Sequence, residues 1–186
     1  MNEPTTSVRE PVKVIADILA SELDLDDQHI AMAYQKYDIP NDGLFVVLGY
    51  LGPSSVVANQ NYFDSAINSE VQETLMLHRI QIDLMSMAPD NSARIRKEEI
   101  PMALRSFYSQ RLQSQYKIGV YWNTGDFADT TSLEETAMLN RYTMRVFVNA
   151  LHRKVKTTPY LDNFPISVTA PPTTTVNVPT TEAFNV

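Results

Sequence analysis

In a chain of 186 residues without cysteine, the three histidines are the residues best suited to metal or acid–base chemistry. His29, His78 and His152 stand far apart, with no H-x-x-x-H or H-x-x-E spacing, so their pattern predicts no metal centre. Serines, histidines and aspartates occur without the G-x-S-x-G elbow that presents a nucleophile. The five glycines form neither G-x-G-x-x-G nor a Walker pattern, so no phosphate cradle is expected. Glu98-Glu99 and Glu134-Glu135 are neighbours in sequence, which do not face each other on a helix and make poor acid/base couples. The basic clusters Arg94, Arg96, Lys97 and Arg153, Lys154, Lys156 lack the interleaved aromatics of a nucleic-acid groove and read as solvated or inter-subunit surface. The sole tryptophan, Trp122, reads as a core or interface anchor. No catalytic residue, cofactor or metal is expected, and the chain reads as a structural and assembly protein.

The most telling stretch is Gly119–Leu151. An apolar strand, Lys117–Trp122, leads through a polar loop, Asn123–Glu135, into a very long alternating strand. Met138, Tyr142, Met144, Val146, Val148 and Ala150 share one face of it; Leu139, Arg141, Thr143, Arg145, Phe147 and Asn149 share the other. The first is a core face, and the mixed second face suits a sheet that meets another subunit. Residues 136–155 at about 3.3 Å each would span roughly 65 Å, far beyond a usual strand. Such a strand must bend, bulge or project past its own sheet.

Upstream, residues 1–6 read as a flexible lead. Ser7 and Glu10 form a capping-box pattern, Pro11 falls in a first turn, and Val8, Val12, Ile15, Ile18, Leu19 and Leu23 recur at helical spacing. A helix is expected from Ser7 to about Leu25, ended by Asp24, Asp26 and Asp27 against the macrodipole. Ile30–Tyr37 fits a short helix or a strand, and Asp38–Gly43 is a turn. Leu44–Tyr50 and Ser54–Tyr62 read as two strands of a hairpin. Glu70–Met87 alternates, with Met76, His78, Ile80, Ile82 and Leu84 opposite Arg79, Gln81 and Asp83. Ala93–Gln113 reads as helical with a break near Glu98–Ile100, caused by Pro101, and with Ile95, Ala103, Leu104, Phe107, Tyr108 and Leu112 facing inward. From Thr158 the chain carries five prolines, many threonines and only two charges, Asp162 and Glu182. Residues 158–186 therefore read as an extended arm beside a domain of residues 7–157. The fold class expected is α+β: a mostly antiparallel sheet, helices packed on one face, and that C-terminal arm.

Hydrophobic residues at 44% and charged residues at 20% suit an ordinary globular domain. No apolar run is long enough for a membrane helix, and the N-terminus lacks a secretion-signal pattern. The net charge of −7 opposes wrapping of a phosphate backbone.

Leu77–Met87 (LHRIQIDLMSM), Ala93–Gln113 (ARIRKEEIPMALRSFYSQRLQ) and Gly125–Ala150 (GDFADTTSLEETAMLNRYTMRVFVNA) together resemble the neck and tail-terminator proteins of tailed bacteriophages. In that family a strand and an Ala/Arg-bearing helix precede a G-x-F-x-D-x-[ST] loop, which leads to an arginine in an alternating strand. Here the loop residues are Gly125, Phe127, Asp129 and Thr130 or Thr131, and the arginine is Arg141. The match covers roughly residues 44–155 and not the arm. The resemblance implies a non-enzymatic, usually hexameric ring between tail tube and head connector, with DNA passing through its lumen. Phe127, Asp129, Arg141, Arg145 and, in the arm, Phe164 become the candidate subunit-interface residues. A head-completion adaptor or tail-tube-like subunit is the alternative, followed by a small hydrolase.

Overall fold

The computed structural model describes residues 9–40, 42–67, 69–122, 127–134 and 137–157. The arm expected from Thr158, with Phe164, and the lead at 1–6 lie outside the described residues, as does Gly125.

Twelve elements follow one another: α1 (Pro11–Leu23), β1 (Ile30–Met32), β2 (Phe45–Tyr50), β3 (Ser55–Asp64), β4 (Ser69–Met87), α2 (Ser92–Arg96), α3 (Glu99–Arg105), α4 (Phe107–Tyr116), β5 (Ile118–Tyr121), β6 (Ala128–Asp129), β7 (Ser132–Glu134) and β8 (Ala137–Thr157). All eight strands join one sheet, of order β1-β2-β4-β8-β5, with β3 also on β4 and β6 and β7 on β8. Every pairing is antiparallel except β1 with β2. The fold is α+β, as the alternation and the helical segments predict.

The axis of the sheet is the β4–β8 pair, in register from Ser69↔Thr157 to Met87↔Leu139 without a shift. Period-two alternation splits its side chains between two faces. Ile80, Ile82 and Leu84 of β4 and Tyr142, Met144, Val146, Val148 and Ala150 of β8 enter the main core. All four helices contribute buried hydrophobic residues to that same core, among them Ile15, Ile18 and Leu19 of α1, Ala93 of α2, Leu104 of α3 and Leu112 of α4. On the opposite face a smaller cluster, Phe45, Val47, Met85 and Leu139, is covered by Tyr37 and Ile39 from the segment after β1.

The hairpin expected between Leu44–Tyr50 and Ser54–Tyr62 does not form. Both strands pair with β4 on the same side, β2 against Ile80–Met85 and β3 against Ser69–Leu77. They are consecutive lengths of one path, interrupted at Gly52-Pro53, where Gly52 takes φ +77. Apolar composition and a Gly-Pro boundary mark two strands equally well whether the chain reverses or continues. In the segment Ile30–Tyr37 the first three residues form the short strand β1, and a turn follows.

The helix expected from Ser7 begins at Pro11, with Glu10 in the N-cap position and no side-chain cap bond there. It ends where the acidic run predicts: Asp24 adopts the left-handed conformation (φ 53) and its N–H reaches the Ala20 carbonyl. The Ala93–Gln113 stretch breaks twice. The first break separates α2 from α3 at Lys97-Glu98. The second is at Ser106, which is extended (φ −60, ψ 161) and whose Oγ accepts from the Ser109 N–H at 3.0 Å. These breaks reset the helical phase. Ala103, Leu104 and Leu112 are buried as expected, but Ile95 and Phe107 are 74% and 91% exposed.

The long final strand is real and projects. Beyond the reach of the helices, Ser69–Leu77 of β4 continues between β3 and the last residues of β8 as a three-stranded ribbon. β3 is exposed along almost its whole length and carries a bulge between Val56 and Ala58. Val71, flanked by Tyr62 and Val155, is the buried apolar residue of this ribbon.

Candidate subunit interface

The loop that carries Phe127 and Asp129 is stitched to β8. β6 and β7 lie within the stretch Asn123–Glu135, expected to be loop, and both pair with β8. Between them the Thr130 N–H donates to the Arg141 carbonyl at 2.8 Å, and the Arg141 N–H donates to Thr131 Oγ1 at 3.4 Å. Asp129 Oδ1 in turn accepts from the Thr131 hydroxyl at 2.6 Å and its N–H at 3.0 Å. That local turn, aided by Lys97 and Arg94, holds the exposed Asp129 carboxyl below the usual range.

Asp129 and Arg141 are thus brought together through two threonines and the backbone, without an ion pair between them. Asp129 pairs with Tyr142, whose ring faces the helices under Lys97 Nζ at 4.9 Å. The Arg141 side chain lies on the other face, where Nη2 donates to Asp83 Oδ2 at 2.7 Å. Thr143 Oγ1 at 2.5 Å and Gln81 Nε2 at 2.8 and 3.0 Å also donate to that buried carboxylate. Arg141 therefore has its charge partner inside its own sheet. Among the described residues its buried Nε meets no acceptor.

Arg145 shares this face and is exposed, opposite Gln81 in the register. Phe127 packs instead against the main core on the helix side. The candidate residues consequently fall on two faces, Arg141 and Arg145 on one, Phe127 and Asp129 on the other.

Beside Arg141 the open face of the sheet carries a recess of about 460 Å³, lined by Tyr37, Ile39, Met85, Met87 and Leu139, with Asp38 and Arg141 supplying the polar groups. Sequence reading missed this recess, because Tyr37 and Ile39 reach β4 and β8 only through the parallel β1–β2 pairing. The one signal for the polar network was Asp83 itself, a lone charge between Ile82 and Leu84.

Further along the same pair of strands, at the root of the ribbon, His78 and His152 lie with ring centroids 6.1 Å apart and Tyr50 5.8 Å from His78. Burial first, and His152 second, hold the His78 imidazole below its ordinary pKa. Burial raises the Tyr50 phenol to about 12. One arginine of each basic cluster has an internal partner: Arg96 donates to the Leu23 carbonyl at 2.8 Å and to Glu99 at 2.9 Å, and Arg153 lies 3.4 Å from Glu73. Trp122 packs on the main core beneath the Arg105 guanidinium, 4.8 Å from its ring. Among the described residues no three His, Asp or Glu side chains gather as a metal site, and no helix is long and apolar enough to cross a membrane.

No family model matches the chain, and no curated protein is similar to it in sequence.

Proposed function

We propose that this protein is a structural subunit of a tailed-phage neck or tail-terminator ring, a non-enzymatic homo-oligomer of six copies through which DNA passes. The observation that carries the reading is the β4–β8 pair, which runs 19 register pairs without a shift and takes β3 with it past the helix-covered core. A monomer gains little from an exposed ribbon. A protomer that must grip a neighbour gains long edges with unpaired backbone groups and the solvent-facing Val56, Val57 and Phe63.

The recess at Leu139 and the ribbon at Thr157 occupy opposite ends of β8. Two unlike surfaces at opposite ends favour heterologous, head-to-tail contact, which closes into a ring when the rotation allows. The net charge of −7 suits a lumen that must let DNA slide. Neighbouring tail-tube and head-connector proteins would contact the two rims of the ring.

Size-exclusion chromatography with mass detection, followed by negative-stain imaging, tests this. Single closed rings, alone or on the ends of purified tail tubes, are expected. Unlimited tubes of the protein alone would favour the tail-tube-like reading. A protein that stays monomeric when offered tail tubes overturns the proposal.

A further inference from the structure

We infer that the two outer edges of the ribbon join copy to copy, residues 58–64 of β3 in one copy pairing in parallel with residues 152–156 of β8 in the next. The contact deepens the self-assembly reading and rests on it.

Both edges are open among the described residues. β3 pairs with β4 alone, and β5 pairs with β8 no further than Ala150. Just past that point the Leu151 N–H reaches the Lys117 carbonyl at 3.1 Å. Hydrogen-bonding direction alternates along a strand, so the N–H and C=O of Arg153 and Val155 turn to the same outer side, beyond the end of β5. On the other side the Leu51 N–H reaches the Arg79 carbonyl at 2.8 Å, which turns the odd-numbered residues of β4 toward β3. Gln60 and Tyr62, opposite Glu73 and Val71, therefore bond to β4, and the backbone groups of Asn59, Asn61 and Phe63 face outward.

Charge selects which edge meets which. Residues 55–77 hold Asp64, Glu70 and Glu73 and no cation, whereas residues 151–157 hold Arg153, Lys154 and Lys156 and no acid. Arg153 already pairs with Glu73 at 3.4 Å inside the copy. Lys154, Lys156 and Asp64 have no ion-pair partner among the described residues. Lysines on an edge oppose its pairing with a like edge, so β8 against β8 is disfavoured. Residues 58–64 contain no lysine, arginine or proline to block a partner. Pairing of β3 with β3 would leave the β8 edges open and stop at two copies, whereas β3 with β8 continues from copy to copy.

Symmetry sets the direction. β3 and β8 are each antiparallel to β4 and so run parallel to each other. A rotation about a ring axis preserves strand direction and outward face, so the seam is parallel. Arg153 and Val155 then share a face with Gln60 and Tyr62 of the next copy.

The chain has no cysteine, so a disulfide probe is clean. Full-length Gln60→Cys is mixed with full-length Arg153→Cys under mild oxidation and followed on a non-reducing gel. Val155→Cys supplies a second position two residues along, and Lys154→Cys, on the opposite face, is the control. All four side chains are exposed, so the fold should tolerate them. Linking of Gln60→Cys to Arg153→Cys or Val155→Cys about tenfold faster than to Lys154→Cys is expected. A Gln60→Cys/Arg153→Cys double variant cannot close on itself, because two strand spacings, about 10 Å, exceed the roughly 7 Å a disulfide spans. It should instead give a ladder ending in a covalent ring. Equal rates on the two faces, no linking, or faster linking of Gln60→Cys to itself overturns the inference. Closed rings without this cross-link would sink the inference alone; cross-linked chains that never close would keep it and sink the ring.

Discussion

Arg141 on β8 and Asp83 on β4 share the face of the sheet turned away from the helices, and their side chains meet at 2.7 Å. The residues do not oppose each other in the register, where Asp83 faces Thr143 and Arg141 faces Met85. The contact is a diagonal one, reached by the length of the guanidinium stem. It anchors Arg141 through Nη2, and among the described residues the buried Nε meets no acceptor.

Removing either partner should cost stability unequally. Asp83 is buried and accepts from three side chains, so Asp83→Ala is expected to destabilise by about 2–3 kcal/mol. Arg141→Ala should cost about 1–2 kcal/mol, since a third of its side chain is in solvent and Thr143 and Gln81 still satisfy the carboxylate. Urea denaturation of both single variants and the double variant measures the coupling between them. Strictly additive losses would show that the pair contributes nothing beyond its separate packing.

The His78–His152 pair predicts acid sensitivity. The folded pKa of His78 lies below its ordinary value of about 6.5, so the unfolded chain binds the proton more readily. Its stabilising contribution is complete above the unfolded pKa and is lost as pH falls from there through the folded pKa. Thermal melts should therefore decline as pH falls below about 6.5 more steeply in the parent than in His78→Gln. Parallel pH profiles for the two proteins would rule the pair out as the cause.

Exposed and buried apolar residues of the broken helical stretch should separate cleanly. Leu104→Ala removes a side chain that is 1% exposed and is expected to cost about 2–5 kcal/mol. Phe107→Ser and Ile95→Ser should each stay within about 0.5 kcal/mol of the parent. Losses of 2 kcal/mol or so at Phe107 would mean that it is covered in the isolated protein.

Charge on the ribbon should act on assembly and spare the fold. Val57 is 54% exposed at the β3 bulge, so Val57→Asp is expected to change stability by less than about 0.5 kcal/mol while reducing the oligomer fraction seen by mass detection. Unchanged assembly would remove β3 from the interface.

Gly49 tests the seam between β1 and β2. A Cβ there would stand 2.8 Å from the Ala33 Cβ, closer than carbon atoms pack. Gly49→Ala should therefore cost about 1–3 kcal/mol in chemical denaturation, and a neutral result would show that the segment after β1 shifts freely.

Side-chain period alone determined much of this protein. The alternation at Glu70–Met87 and in the final strand named most of the core face, Ile80, Ile82 and Leu84 with Tyr142, Met144, Val146, Val148 and Ala150, whereas Met138, expected on that face, is 51% exposed. The acidic run placed the end of α1 at Asp24, and Pro101 marked the break that falls three to four residues before it, at Lys97-Glu98. These are local properties, set by backbone geometry that each short segment carries with it. Only the tertiary structure decided that β2 and β3 lie end to end along β4, that Ser106 turns Phe107 outward, that Asp83 gathers Arg141, Thr143 and Gln81, and that Tyr37 and Ile39 build a recess against Met85 and Leu139. Each depends on contacts between residues distant in the chain or on a phase reset at one backbone position, and a repeating pattern within a segment carries no record of which partner it will meet.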